Sequence, residues 1–378
     1  MLKIVADNKI PFLKGALEPY ASVQYLPGAE INNDVLKDAD ALITRTRTKC
    51  NQETLGGSTV KIITSATIGF DHIDTRWCDH NGIRWTNAPG CNSGSVKQYV
   101  AAVLALLAKE KGCQLKGKSI AVVGVGNVGS KVSAMAKALG MTVYEVDPPR
   151  ARVEKNKEFY TLNKIIGKAD IITFHTPLTK EGEDKTYHLC DAFLLSKMKK
   201  DAIVINSSRG EVVDGNALKL VLQNNQIGDA VLDVWEKEPA IDAELLDKVW
   251  IGTPHIAGYS QDGKAKGTQM SVQAISRFFS LGIDDWQAKG MPQPDQSIFT
   301  INCKGLSDEA IIAKAILHTY PLKRDDADLR NEISGFEYLR GAYPVRREFQ
   351  AYTLELTNGN TAIQDTLQKL GFSKVEIK

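Results

Sequence analysis

The chain has 378 residues, 43% of them apolar and 24% charged, enough for two or three domains with sizeable cores. Its 47 Lys and Arg nearly balance 45 Asp and Glu, so the net charge of +2 gives no reason to expect nucleic acid or a membrane surface as a partner. Six cysteines stand far apart without CxxC or zinc-like spacing and read as buried free thiols of a reducing compartment; the first residues, MLKIVADN, lack a signal-peptide layout, and the expectation is a cytoplasmic protein.

In chain order, KIVAD, SVQYL, ALITR, KIITSA and IRWTNA read as strands, with FLKGALEPYA, NDVLKDA and IDTRWCDHNG between them as helices or helical turns. Such alternation implies a parallel sheet covered on both faces. A long helix over roughly 93–111 contains the apolar run YVAAVLALLA, half a membrane span and suited to burial. A second alternating series follows, with strands SIAVVGV, TVYEV, DIITFHT, AIVINS, AVLDVW and VWIGTP. Residues 260–282 read as a helix returning the chain to the first unit, and AKGMPQPDQ at 288–296 as a linker. The tail adds strand SIFTINC, helix DEAIIAKAILHTY, strand FQAYTLEL, a helix and strand KVEIK. Thr361 and Gln364 predict a capping box for that last helix, and Gly371 its stop.

These elements predict an α/β protein of two doubly wound parallel-sheet domains, one Rossmann-type and one flavodoxin-like, plus a smaller C-terminal α+β domain. The expected boundaries are 1–98 with 260–285 for a substrate-binding lid, 99–259 for dinucleotide binding, and 286–378 for an association or regulatory tail.

The strand SIAVVGV runs into Gly124-x-Gly126-x-x-Gly129 and then a helical pattern. Placed at a strand-to-helix turn, the first glycine permits the turn, the second lets a pyrophosphate approach, and the third allows close helix–strand packing. Asp147 closes the next strand, where a carboxylate bonds ribose hydroxyls and repels the extra phosphate of NADP. Arg150 and Arg152 nearby would soften that preference, so NAD is the expected cofactor with NADP as the alternative.

Three unlike polar residues then follow three core strands: Arg209 after AIVIN, Glu238 after AVLDVW and His255 after VWIGTP. In a parallel sheet all three lie at carboxyl ends, the edge that faces the ligand crevice. Their chemistry is complementary. Histidine suits the removal of a hydroxyl proton near neutral pH, a carboxylate beside it sets its tautomer, and an arginine fork grips a substrate carboxylate. The other histidines, His72, His80, His175, His188 and His318, show no metal spacing, and no metal is expected; His175 ends a cofactor-domain strand near the expected nicotinamide or ribose.

With GVGNVG, INSSRGEVVD, LDVWEKEP and TPHIAGY in hand, about 280 residues of the chain resemble the D-2-hydroxyacid dehydrogenase family. That resemblance implies Arg209, Glu238 and His255 as the catalytic set, and NAD held by Gly124, Gly126, Asn127, Val128, Gly129, Asp147, Thr176, Ser207, Asp233 and Gly258. It also implies a substrate carboxylate held by backbone N–H groups of the loop SATIGFDHID, where Phe70 is bulkier than the small residue often found.

DPPRA, APGCN, TFHTPLT, HIAGY and the added tail resemble a branch of the family that acts on a phosphorylated four-carbon acid. This implies 4-phospho-D-erythronate as substrate and a homodimer formed through the tail. Arg45, Thr46, Thr67 and Tyr259 are the expected contacts to its phosphate or hydroxyls, with Arg47 and Lys49 near them. Arg346 and Arg347 of PVRREF would join only if a dimer brings them to a neighbour's cleft. A phosphoglycerate dehydrogenase and an NAD-sensing interaction protein fit the same motifs.

Overall fold

The computed structural model describes residues 1–155 and 158–378. It divides into two compact units, one of residues 1–92 and 260–292 and one of residues 93–259 and 293–378.

The first unit holds β1 (Lys3–Asp7), β2 (Ser22–Leu26), β3 (Ala41–Thr44), β4 (Ile62–Ser65) and β5 (Arg84–Thr86). They form one parallel sheet in the order β2-β1-β3-β4-β5, the flavodoxin-like arrangement. Central β3 and β4 are buried at every residue, as strands covered on both faces must be. Separate apolar clusters built around Ile4, Ala6 and Ile43 and around Val5, Leu42 and Ile63 cover those faces, because successive side chains point opposite ways. FLKGALEPYA forms turns rather than a helix; Gly15 sits at φ +85 and Pro19 supplies no donor. The returning helix Gln261–Phe279 is capped by Ser260 and lies close on the sheet at Gly267, where a Cβ would stand 2.2 Å from the Ala66 carbonyl oxygen.

The second unit contains β6 (Ser119–Val123), β7 (Thr142–Val146), β8 (Ile171–Phe174), β9 (Ile203–Asn206), β10 (Asp229–Leu232) and β11 (Ile251–Gly252). All pairs are parallel, in the order β11-β10-β9-β8-β6-β7. The order reverses between β6 and β8, and a crevice opens at such a switch point beyond the strands' carboxyl ends. The helix Ser93–Glu110 is buried along most of its length, and no helix among the described residues is long and apolar enough to cross a membrane.

The tail folds as β12 (Ile298–Asn302), β13 (Thr353–Thr357) and β14 (Lys374–Ile377), again parallel. It shares one buried cluster with the dinucleotide sheet, running from Val100 and Leu104 through Ile316 and Leu356 to Phe372. Helix Asp308–Thr319 packs against helix Ser93–Glu110. That shared core explains why the tail groups with residues 93–259. Two tail helices, Leu322–Asn331 and Phe336–Gly341, have no counterpart in the sequence expectation. The predicted capping box is also corrected. Asn360 is the cap of helix Thr361–Leu370, its side chain accepting from the Ile363 N–H, while Gln364 donates to the Val375 carbonyl. Thr361 is already helical, so its hydroxyl is one position too late to cap. Gly371 ends the helix at φ +114, as expected. All six cysteines are free thiols, five of them buried.

Candidate active site

The glycine-rich turn after β6 meets the steric demands of a dinucleotide cradle. A Cβ on Gly124, at φ +86, would stand 2.7 Å from the His175 carbonyl oxygen, and one on Gly129 only 1.9 Å from the Gly124 carbonyl oxygen. Gly126 faces open space, as the approach of a pyrophosphate requires. The helix Gly129–Ala138 begins at Val128 without a side-chain cap, beside exposed Asn127, so its positive dipole end faces the glycine-rich turn, where an anion is favoured.

Asp147 stitches this turn together. One carboxylate oxygen accepts from the Val125 N–H at 2.8 Å and the other from the Arg150 N–H at 3.1 Å. Each retains a lone pair for a ribose hydroxyl. The Arg150 guanidinium is occupied by bonds within the chain: it forms a two-point pair with Glu154 and donates to the Val125 carbonyl. Arg152 pairs with Glu183 and Asp184. These pairings favour NAD over NADP.

At the ends of β8 and β9, His175 Nδ1, Thr176 Oγ1 and Ser207 Oγ are enclosed and have no hydrogen-bond partner among the described residues. Buried polar atoms without partners are costly. Their place at the switch-point edge fits a polar cofactor that would satisfy them. Burial pushes the His175 imidazole down to about 3, so it is neutral at working pH.

The catalytic candidates stand on the next three strand ends of the same sheet. Arg209 lies three residues past β9, half-buried in extended backbone, with Nη1 on the Ser208 carbonyl at 2.8 Å. Asn206 Nδ2 in turn donates to the Arg209 carbonyl. Glu238 and His255 meet directly, Glu238 Oε2 to His255 Nδ1 at 2.7 Å. A carboxylate only accepts, so Nδ1 carries the proton and Nε2 is left as the basic nitrogen. The other Glu238 oxygen accepts from the Trp235 N–H at 2.9 Å. Burial works to raise the Glu238 carboxyl, but the His255 hydrogen bond and charge, the Trp235 N–H and Arg340 outweigh it and hold it below the usual carboxylate range.

His255 itself sits at φ +56, a left-handed conformation that a non-glycine residue adopts only when its surroundings enforce it. Asp233 supplies part of that constraint. Its carboxylate accepts from Thr253 Oγ1 at 2.7 Å, the Ile256 N–H at 2.8 Å and the Ala257 N–H at 2.9 Å, and its carbonyl accepts from the His255 N–H at 2.7 Å. Asp233 is almost wholly buried. It thus builds the turn that runs through Gly258, a structural role the sequence reading missed.

Tyr259 packs edge-on to Tyr343 with ring centroids 6.0 Å apart, and the Arg340 guanidinium lies 5.7 Å over its ring. Both partners come from the tail. In the first unit, Arg45, Thr46 and Thr67 follow β3 and β4 at their carboxyl ends. Arg45 Nη1 donates to the Lys9 carbonyl at 2.9 Å, and Thr67 Oγ1 is 3.0 Å from Ser65 Oγ. Thr46 is exposed. The loop beyond β4 is braced by bonds from Asn87 Nδ2 to the Ile68 carbonyl and from the Ala88 N–H to the Thr67 carbonyl; Phe70 is exposed against Trp85. Arg346 is buried within its own chain rather than extended towards a neighbour, which corrects that expectation; its guanidinium is consumed by bonds to the His255 turn.

Comparison with known proteins agrees with this geometry. Residues 97–257 match the family model of the D-isomer specific 2-hydroxyacid dehydrogenase NAD binding domain, and residues 293–371 match a model described as a domain of unknown function. An erythronate-4-phosphate dehydrogenase of Bacteroides fragilis is 48% identical over 94% of this chain and 100% of its own. That of Yersinia enterocolitica is 39% identical over 98% of this chain and 99% of its own. Among solved structures, a D-lactate dehydrogenase of Aquifex aeolicus complexed with NAD and lactic acid superposes with a TM-score of 0.62 at 26% identity, covering 75% of this chain and 96% of that one. NAD is accordingly the cofactor of the second unit. The chain belongs to the D-isomer specific 2-hydroxyacid dehydrogenase family and, within it, to the erythronate-4-phosphate dehydrogenases.

Proposed function

We propose that the chain oxidises 4-phospho-D-erythronate at C2 to 3-hydroxy-2-oxo-4-phosphooxybutanoate, a step of pyridoxal phosphate synthesis. The observation that carries this reading is the 2.7 Å bond between His255 Nδ1 and Glu238, which leaves Nε2 to act as base. The C2 hydroxyl proton goes to Nε2 as the C–O bond becomes a carbonyl; NAD, which the glycine turn and Asp147 would hold, would supply the hydride acceptor when bound. Glu238, kept ionised, stabilises the imidazolium that forms. Arg209 grips the substrate carboxylate and polarises the developing carbonyl oxygen. Such a positioned base contributes about 10²–10⁴ in rate.

Arg45, Thr46, Thr67 and Tyr259 are the proposed contacts to the phosphate and hydroxyls of the acid. Residues 1–98 with 260–285 serve as the substrate lid, 99–259 as the NAD domain and 286–378 as the dimerisation segment of a cytoplasmic homodimer. The relatives named erythronate-4-phosphate dehydrogenase support this assignment by similarity over nearly the whole chain.

The test is NADH formation from 4-phospho-D-erythronate, 3-phosphoglycerate and unphosphorylated erythronate. Parallel runs contain an added 2-oxo acid and product detection, so that cofactor retained on the enzyme does not hide turnover. Strong preference for 4-phospho-D-erythronate is expected. Activity on 3-phosphoglycerate alone would move the assignment to a phosphoglycerate dehydrogenase. NAD binding without turnover on any acid would favour an NAD-sensing protein.

A further inference from the structure

The turn that presents His255 is gripped from two sides by oppositely charged, buried side chains. Asp233 takes the N–H groups of Ile256 and Ala257. Arg346, from the tail, takes their carbonyls: Nη2 donates to Ile256 O at 3.2 Å and to Ala257 O at 2.6 Å. Ile256 and Ala257 are themselves shut off from solvent, so neither pair of backbone groups has water as a substitute.

The arginine is as firmly placed as the turn. Its guanidinium lies 4.3 Å over the Tyr320 ring, and Nη1 approaches the Tyr343 hydroxyl at 3.4 Å. Asp325 accepts from both tyrosine hydroxyls, at 2.8 Å and 2.7 Å, and places a compensating charge beside them. The two residues that follow Arg346 dock on a second element of the unit. Gln98 Nε2 donates to the Arg347 carbonyl at 2.9 Å, and Ser95 Oγ donates to Glu348 Oε1 at 2.9 Å. A Cβ on Gly94 would lie 2.0 Å from Glu348 Oε2, so the fit there is close. Arg346 is thereby held in register with the His255 turn from both directions along the chain.

We propose that Arg346 is a positioning residue for the dehydrogenase reaction: by gripping the Ile256 and Ala257 carbonyls it holds the left-handed turn that aims His255, so the tail completes the catalytic site of its own chain. The role rests on the dehydrogenase reading, because it acts through His255. A single ammonium at this position cannot at once donate to the turn, stack on Tyr320 and approach the Tyr343 hydroxyl, as the planar guanidinium does. An apolar side chain would remove the donor to the buried Ala257 carbonyl, while Ile256 O would keep only the Tyr259 N–H.

The test uses the full chain with Arg346→Lys and Arg346→Met. Three readouts are compared: kcat and KM, NAD affinity from tryptophan fluorescence, and the low-field proton resonance of the His255–Glu238 hydrogen bond, assigned by its loss in His255→Gln. The expected order of kcat is wild type above Arg346→Lys above Arg346→Met, the last lower by about 10- to 100-fold, as for ångström-scale misplacement of a reacting group. KM and NAD affinity stay within about threefold, and the resonance shifts or broadens in the same order. Wild-type kcat with an unchanged resonance in Arg346→Lys overturns the proposal. So does a fall in NAD affinity that tracks kcat, which would mark a merely structural arginine. If Arg346→Met does not fold, Arg346→Lys decides the matter by the same criteria. If the wild-type chain turns over none of the acids, the resonance still reports whether Arg346 holds His255, and the functional reading alone falls.

Discussion

Two glutamates two positions apart, Glu236 and Glu238, each bond a histidine, and the two pairs differ. Glu238 bonds His255 Nδ1 at 2.7 Å, and Glu236 bonds His188 Nε2 at 2.8 Å. Both histidines have positive φ, +56 and +50. The difference lies in what remains of each ring. His188 has Asp214 3.7 Å from its second nitrogen and Tyr187 stacked on its face at 4.1 Å, while Glu236 also accepts from the Gly215 N–H. The two acids address opposite nitrogens, and Asp214 is already the cap of helix Gly215–Gln223. The trio His188, Asp214 and Glu236 therefore reads as a stitch between loops rather than as a metal centre. His255 offers one nitrogen to its glutamate, and its other nitrogen is the one proposed as base. Of the two pairs, only that of His255 leaves a ring nitrogen without an acidic neighbour, which is what a base requires.

The contrast can be broken most severely at the catalytic pair. His255→Gln is expected to lower kcat by about 10²–10⁴, the worth of a positioned base. NAD affinity, measured by fluorescence titration, should be nearly unchanged; its loss together with activity would make His255 structural. At the other pair the expectation reverses. His188→Gln should leave kcat within about threefold and cost about 0.5–1.5 kcal/mol of stability in denaturant unfolding, the usual net worth of a lost hydrogen bond. A large kcat loss there, without destabilisation, would erase the distinction.

A third histidine gives an effect that is read only as a change of slope with pH. His175 has a folded pKa of about 3, lowered by burial from an ordinary 6.5. Between those values the unfolded chain binds a proton that the folded chain does not, so stability falls as pH drops below about 6.5, by at most about 1.4 kcal/mol per pH unit. His175→Gln should flatten this limb of the stability profile between pH 6 and 4. An identical slope in both proteins would mean that His175 is protonated in the fold.

Much of the site was legible because parallel strands put their following residues on one edge. Arg209, Glu238 and His255 could be placed together from strand order alone, as could the glycine turn with Asp147. Other features gave no local signal. Asp233 was expected as a cofactor contact, and nothing in its neighbourhood announced that its carboxylate also binds Thr253, Ile256 and Ala257 and so builds the turn. Arg346 and Arg347 were expected to matter only in a neighbour's cleft, yet both are buried in their own chain, Arg346 over Tyr320. The cap of the last helix fell one residue earlier than the Thr361 pattern suggested, because Asn360 is the residue in extended backbone.

What the sequence determined by itself was the order of strands, the dinucleotide turn and which polar side chains follow the strands at one sheet edge. Each of these follows from local periodicity, glycine sterics or side-chain chemistry within a few residues. Which histidine has a ring nitrogen without an acidic neighbour, which acid builds the catalytic turn and which tail arginine grips it were decided only by the tertiary structure. Those depend on contacts between residues up to 90 positions apart, as Arg346 and Ile256 are, and no local pattern encodes which buried partner a charged group will find.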